Sequence, residues 1–207
     1  MRQHLLAPCA AAVAMLCTAG ALSSAQVTFK TSGGEVVQFT QKNLVDHLIV
    51  GDSLEVEAAK LAVARTQNAA VKDFANALIA DHTSHLANLN KLAGKRDIGR
   101  EANAADTSNA MTIRTLKRMQ AMPGESGFDR AFMRQQIMHH MHEIDALTML
   151  RPAAKDDDLQ HDIDRTMPVL ERHLASARQV GAQLGVTVDS VPMKMPMKMP
   201  MTKPPTR

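Results

Sequence analysis

The sequence predicts an all-α protein built as an up-down four-helix bundle. Aromatic residues make up 2% of the 207 residues, with five Phe and neither Trp nor Tyr. This composition disfavours β-sandwiches and barrels, because their strands draw on aromatic side chains. Ala, Leu, Met, Gln, Lys and Arg, which form helices readily, are abundant. Four long segments also carry apolar residues at helical spacing, with short connections between them.

The chain begins with a segment that we interpret as a secretory signal peptide, residues 1–25. Arg2 precedes the apolar run LLAPCAAAVAMLCTAGAL, and small residues lead up to Ala25. A basic start, a short apolar core and small residues at the cut define such a signal. Cleavage after Ala25 is our first choice, and cleavage after Ala21 is the alternative. We expect secretion across the inner membrane into the periplasm, with outer-membrane association left open.

Signal cleavage would also determine what kind of chain remains. It removes Cys9 and Cys17, so we expect no thiol, no disulfide and no cysteine-based metal site. No later run approaches the ~20 apolar residues that a transmembrane helix needs. Without the signal and the four basic residues after residue 192, the formal net charge of +3 becomes about −2. We therefore expect neither a later transmembrane segment nor a nucleic-acid partner.

The first elements are predicted from their own patterns. Residues 26–40 contain a Gly pair and lack a helical period, so we expect an extended leader. The bundle domain, residues 41–185, opens with a helix whose apolar stripe is Leu44, Leu48, Glu55, Ala59 and Ala62. The second long helix begins after Asn68, a favoured N-cap residue. Its buried seam advances in steps of four and three through Val71, Ala75, Leu78, His82, His85, Leu89 and Leu92.

The second half of the domain follows the same pattern. A short amphipathic helix, about residues 107–121, separates the second long helix from the third. The third begins at Ser126, which with Asp129 resembles a capping box. The fourth begins at the acidic run 156–158, which suits the positive end of a helix dipole, and extends to about Leu184.

The stretch MHHMHE, residues 138–143, resembles a metal site, but its three histidines cannot jointly bind one ion on a helix. Consecutive helical side chains point about 100° apart, so His139, His140 and His142 face three directions. His139 and Glu143 share a face at i, i+4, which suits either weak metal binding at the surface or an ion pair. His140 is the one that we place in the core, because it lies on the apolar stripe of Met133, Ile137, Ile144 and Leu147.

The other long helices each bring similar polar residues to their buried faces. Residues equally far from a shared turn lie at equal height in an up-down bundle, so one carboxylate and three or four imidazoles would meet halfway along it. Nitrogen and carboxylate ligands suit copper, zinc or iron. We therefore predict a transition-metal site with the ligands Glu55, His82, His140, His173 and His85. The alternative is a hydrogen-bonded network of the same residues.

Residues 186–207 form a Met/Lys/Pro tail that we expect to be disordered. Thioethers recur at every second position, a pattern that suits the soft ion Cu(I), at Met193, Met195, Met197, Met199 and Met201. The alternative is a basic linker that associates with the anionic envelope surface.

Four motifs resemble a known family in their order and spacing. They are LEVEAAKLA, VKDFANALIADH, GFDRAF followed by His140, and MPVLERHLASA. The family is the bacterial domain-of-unknown-function family 4142, and the resemblance covers about residues 41–184. It implies an exported protein with a ferritin-like helical bundle, often labelled a predicted outer-membrane protein. The positions that match the family's polar motif residues are Glu55, Asp81, His82, Phe128, Asp129, His140 and His173.

A ferritin-like bundle suggests a di-iron enzyme, but the ligand pattern differs. A di-iron carboxylate site takes a Glu from each of two helices and Glu-x-x-His from each of the other two. Here the second helix has Asp81 beside His82, and the fourth has Glu171 two residues before His173.

We therefore consider three functions, in order of preference. The first is an exported metal-binding bundle, and the second is a non-catalytic structural or interaction module of the cell envelope. An enzyme ranks third, because no Ser/His/Asp or Cys/His arrangement is defensible in this sequence.

Overall fold

The fold is an all-α helical bundle, as predicted. The computed structural model describes residues 27–30, 36–104, 106 and 108–187. Its elements are β1 (Val27–Lys30), β2 (Val36–Phe39), α1 (Gln41–Arg65), α2 (Ala69–Lys95), α3 (Ser108–Gln120), α4 (Glu125–Leu150), a one-turn 3₁₀ helix (Arg151–Ala153) and α5 (Asp157–Gln183). The predicted signal peptide and residues 188–207 of the predicted tail lie outside the described residues.

Side-chain caps fix the starts of three long helices. At α1, Thr40 Oγ1 accepts from the Asn43 backbone N–H at 3.2 Å, and Asn43 Oδ1 accepts from the Thr40 N–H at 2.9 Å. Asn68 caps α2, as predicted, by accepting from the Val71 N–H. Asp156 caps α5 through the Leu159 N–H. Each cap satisfies a backbone donor that the first helical turn leaves free.

The predicted N-cap of α4, Ser126, was wrong by two positions. The helix begins at Glu125, so Ser126 lies inside it and cannot act as its N-cap. Gly124 is the N-cap residue, with φ at 75°. A residue without Cβ adopts this left-handed backbone freely, and the chain can turn there directly after Pro123.

The leader packs onto the bundle as a small antiparallel ribbon. Val27 in β1 pairs with Phe39 in β2, and Lys30 pairs with Val36. Val37 and Phe39 are buried against the α1 residues Leu44 and Leu48. At the other terminus, Val186 is buried one residue beyond the predicted domain boundary at 185.

The apolar core divides into two clusters stacked along the bundle. The first combines β2 with the start of α1, the ends of α2 and α4 and the start of α5. The second combines the end of α1, the starts of α2 and α4 and the end of α5, around Phe74, Phe128 and Phe132. On every long helix, the segment between the two clusters carries buried polar side chains: Asp52, Glu55, His82, His140 and His173. We call this layer the polar belt.

His47 joins α1 to the α3 connection and to α4, at the edge of the polar belt. Its Nδ1 lies 2.6 Å from Asp106 Oδ2, and its Nε2 lies 3.2 Å from both carboxylate oxygens of Glu143. Burial alone would lower the pKa of His47, but Glu143 and Asp106 raise it to about 10. Both ring nitrogens therefore donate to carboxylates, as only an imidazolium can.

The raised pKa of His47 makes its contribution to stability depend on pH. A folded-state pKa above the unfolded value of about 6.5 gives stability that is complete below pH 6.5 and disappears as the pH rises to about 10. We expect His47→Gln to lower the free energy of unfolding most at pH 6. The gap between wild type and variant should shrink by at least about 1.4 kcal/mol, the equivalent of one pKa unit, between pH 6 and pH 10.

Urea unfolding at both pH values measures this gap. The contributions of the other titrating groups to the free energy of unfolding cancel between the two proteins. A gap of equal size at both pH values would contradict the assignment.

Candidate metal centre

Three buried histidines from three helices converge within the polar belt. They are His82 on α2, His140 on α4 and His173 on α5, with 7%, 0% and 5% of their surface exposed. One ring nitrogen of each lies within 4.8 Å of one ring nitrogen of both others. The ring centroids are 6.0 Å apart for His82 and His140, and 5.3 Å apart for the two pairs that include His173. We call this group the His triad.

The backbone of α4 fixes the tautomer of His140. Its Nδ1 lies 2.9 Å from the carbonyl oxygen of Gln136, one turn earlier. A carbonyl only accepts hydrogen bonds, so Nδ1 carries the proton and Nε2 presents a lone pair. That Nε2 is buried and has no hydrogen-bond partner in the described part of the chain.

Carboxylates orient the other two rings in the same way. His82 Nδ1 lies 2.8 Å from Asp52 Oδ1, and His173 Nε2 lies 2.8 Å from Asp81 Oδ2. His82 Nε2 and His173 Nδ1 are then buried without a hydrogen bond to any residue that the structure describes. Metal-bound histidines show this arrangement, in which one nitrogen donates to an oxygen and the other ligates the ion.

The three histidines of the triad differ in the direction of their pKa shifts. Burial lowers the pKa of His140 to about 3, although Glu55 acts in the opposite direction. Burial also lowers the pKa of His173, although the hydrogen bond that its ring donates to Asp81 acts in the opposite direction. Burial alone would lower the pKa of His82, but Asp52 and Glu55 together raise it. At neutral pH, His140 and His173 therefore offer lone pairs, and a cation would replace a proton on His82.

Glu55 lies beside the triad but is not part of it. The residue is 1% exposed, and Oε1 has only long contacts, 3.4 Å from His139 Nε2 and 3.5 Å from Gln135 Nε2. Among the described residues, Oε2 has no hydrogen-bond partner. Burial alone would raise the pKa of Glu55, but His139, His140 and His82 lower it to about 2. Glu55 is therefore an ionised carboxylate in the core, which needs positive charge nearby.

His85, a predicted ligand, faces carboxylates instead of the triad. Its Nε2 lies 2.9 Å from Asp162 Oδ2, and its Nδ1 lies 2.8 Å from Asp52 Oδ2 as an ion pair outside hydrogen-bond geometry. Burial alone would lower the pKa of His85, but Asp162 and Asp52 raise it to about 10. His85 is thus a protonated partner of Asp52, and Asp52 in turn holds His82.

Asp52 is the central residue that the sequence pattern did not single out. It bridges His82 and His85 and is 6% exposed. A signal was present, because Asp52 stands four residues after Leu48 and three before Glu55 on the buried stripe of α1.

The remaining family-motif positions lie outside the triad. Asp81 supports His173 from α2, as described above. Phe128 is fully buried and stacks on Phe132. The Arg65 guanidinium lies over its ring, 4.5 Å from the centroid. Asp129 is 5% exposed, and its Oδ1 has no hydrogen-bond partner among the described residues.

Two spaces adjoin the triad. A small cavity of about 20 Å³, lined by His82, Glu55 and Asp52 among others, has room for one water molecule or ion. A more open cleft of about 200 Å³ between α2 and α5 is lined by His82, His173 and Asp81 among others. The triad therefore has both a neighbouring void and an approach from the surface.

The donor set of the triad fits a transition metal. Three imidazole nitrogens are ligands for zinc, copper, iron or nickel, and three protein ligands leave a coordination position open. Within residues 27–187, as far as these are described, the group contains no carboxylate pair of the di-iron type. The triad could hold a metal ion. The five methionines of the predicted Cu(I) tail lie outside the described residues.

The comparisons with known proteins place the chain in one family. No helix in the described part of the chain is long and apolar enough to cross a membrane. No curated protein and no solved structure matches the sequence. The family model described as "Domain of unknown function (DUF4142)" matches residues 27–180, which is well over half of the 207 residues. The chain therefore belongs to the DUF4142 family.

Proposed function

We propose that this protein binds one transition-metal ion through His82, His140 and His173. The observation that carries the proposal is a set of three buried histidines with ring nitrogens within 4.8 Å of one another. Each of the three also has one buried ring nitrogen with no hydrogen-bond partner among the described residues. A buried polar atom without a partner costs about 1–3 kcal/mol, so three of them in one cluster favour a shared partner. A metal ion can be shared by all three rings once it replaces the proton on His82.

The carboxylates around the triad have separate roles in this proposal. Asp52 and Asp81 orient His82 and His173, and His85 holds Asp52 in place. Glu55, which the sequence predicts as a ligand, supplies the negative charge next to the cation through its unpaired Oε2. Direct ligation by Glu55 stays a prediction.

The alternative is a structural module of the envelope, and part of the polar belt favours it. The chain of contacts from His82 through Asp52 and His85 to Asp162 ties α1, α2 and α5 together without any metal. This network provides a hydrogen-bond partner for His82 Nδ1. It leaves one buried nitrogen of each triad histidine without a partner among the described residues, and for that reason metal binding ranks first.

The proposed setting is the periplasm, where the metal would be handled after export. The signal-like pattern in residues 1–25 supports this location. The basic Met/Lys/Pro tail supports association with an anionic envelope surface as well as a separate Cu(I) site. Storage, buffering or delivery of the ion is compatible with a bundle that lacks a recognisable catalytic arrangement.

Removal of a triad histidine should abolish stoichiometric metal. We expect wild-type protein, equilibrated separately with Zn(II), Cu(II) and Fe(II) and then desalted, to retain about one ion of at least one metal per chain. His140→Ala removes the ligand from α4 and should retain less than about a tenth of that amount. Elemental analysis gives the ratio, and circular dichroism checks that the variant is helical.

The matched control is His161→Ala, which removes an exposed histidine from the start of α5 and should retain the ion. If the tail alone binds copper, His140→Ala will retain it, so Zn(II) is the decisive metal. Wild type that retains none of the three metals would leave the structural module as the function.

The carboxylate behind His173 should tune affinity without serving as a ligand. Asp81→Asn weakens the bond that holds the tautomer of His173, and loss of such an outer contact typically reduces metal affinity by about 10–100-fold. We expect this decrease in competition titrations of the purified protein with a chelating Zn(II) indicator.

Asp73→Asn, an exposed aspartate earlier on α2, is the control and should leave the affinity unchanged. Equal affinity for wild type and Asp81→Asn would show that His173 does not act as a ligand in the proposed orientation.

A further inference from the structure

We propose that the surface groove between α3 and α4 is a second metal site, for a soft monovalent cation of the Cu(I) or Ag(I) class. The groove has a volume of about 350 Å³. Its walls bring together thioether and imidazole donors from both helices and the connection between them: Met111, Met119, Met122, Met138, His139 and His142. None of these six residues belongs to the His triad or to the five methionines of the predicted Cu(I) tail.

The methionines of this groove are unusually exposed. Met111 is 46% exposed and Met138 is 45% exposed, and in the described part of the chain only Ile113 is a comparably exposed large apolar residue. Exposure of a large apolar side chain forgoes the favourable free energy of its burial. Two such residues at one groove, one on α3 and one on α4, therefore suggest that their sulfur atoms serve as ligands.

The helical spacing adds a nitrogen donor to the same wall. Met138 and His142 stand four residues apart on α4, which places them on one face of that helix. Met111 lines the groove from α3, on the opposite side. Thioether with imidazole is a soft to intermediate donor set, which favours Cu(I) over hard cations such as Mg²⁺ or Ca²⁺.

The charges around the groove also favour a monovalent ion. Arg118 and Arg134 line it, and they repel a divalent cation twice as strongly as a monovalent one at the same distance. The groove has one carboxylate, Glu143, and that group is engaged with His47 at 3.2 Å. A divalent metal would therefore meet two guanidinium groups and a carboxylate that is already paired.

His139 links this groove to the candidate metal centre. Together with Glu143, it lines both the groove and the small cavity beside the His triad. Its Nε2 lies 3.4 Å from Glu55 Oε1, and its ring centroid lies 5.7 Å from that of His140. His139 and Glu143 are therefore the residues that the groove shares with the cavity beside the triad.

The test uses Ag(I), a redox-stable probe with the ligand preferences of Cu(I), on the full chain with ¹³C-labelled methionine methyl groups. Met111→Leu/Met138→Leu removes two thioethers and conserves apolar volume, so the fold should be retained. Met195→Leu/Met199→Leu is the matched control in the tail. We expect Ag(I) to shift the groove methionine signals of wild type and of the tail variant. In the groove variant, affinity at this site should fall by about tenfold or more.

A Zn(II) titration of the same variants separates this site from the His triad. The groove variant should bind Zn(II) as wild type does, and His140→Ala should retain Ag(I) at the groove. The inference is overturned if the groove variant binds Ag(I) as tightly, and in the same amount, as wild type. It is also overturned if only the tail variant loses Ag(I), or if the methyl signals of Met111 and Met138 do not respond to the ion.

Discussion

The structure depends on the need to satisfy ionisable side chains that lie between two apolar clusters. Imidazole and carboxylate groups occupy the middle of all four long helices, where most of them are buried. A buried charge is tolerated only when it is paired. The helices must therefore align so that Asp52 meets His82, Asp81 meets His173, and Asp162 meets His85. The N···O distances of these three contacts are only 2.8–2.9 Å, so a shift of one helix along another would break them. Apolar packing alone would tolerate such a shift far better.

The pairing is complete on the outer side of the triad and incomplete on the inner side. Each ring donates one N–H to an oxygen, and its other nitrogen is buried without a hydrogen-bond partner in the described part of the chain. A network that served only structure would give each of the two ring nitrogens its own hydrogen-bond partner. This asymmetry distinguishes the triad from the His47 cluster, in which both ring nitrogens face carboxylates. The same residue type therefore has two uses, one as a closed ionic link and one as an open set of donors.

The sequence predicted most of this arrangement, and the limits of the prediction are physical. Helical periodicity determines which residues of one helix share a face, so Glu55, His82, His140 and His173 could be assigned to the interior before the helices were assembled. Periodicity does not determine side-chain rotamers. His85 is on the correct face but points to Asp52 and Asp162, and Glu55 stops short of the triad. The groove could not be predicted either, because it depends on where the short helix α3 packs against α4.

The distribution of ligands over the chain also suggests what a bound ion would contribute to stability. Helices α1 and α2 form one antiparallel hairpin, which supplies His82, and α4 and α5 form the other, which supplies His140 and His173. Each hairpin packs more extensively within itself than against the other. An ion held by the triad would join the two hairpins, which pack less extensively against each other than within themselves. Because the unfolded chain does not hold the three nitrogens together, binding would favour the assembled bundle by mass action. The chain therefore takes its open donors from both hairpins, so a shared ion would add directly to the cohesion between the two halves.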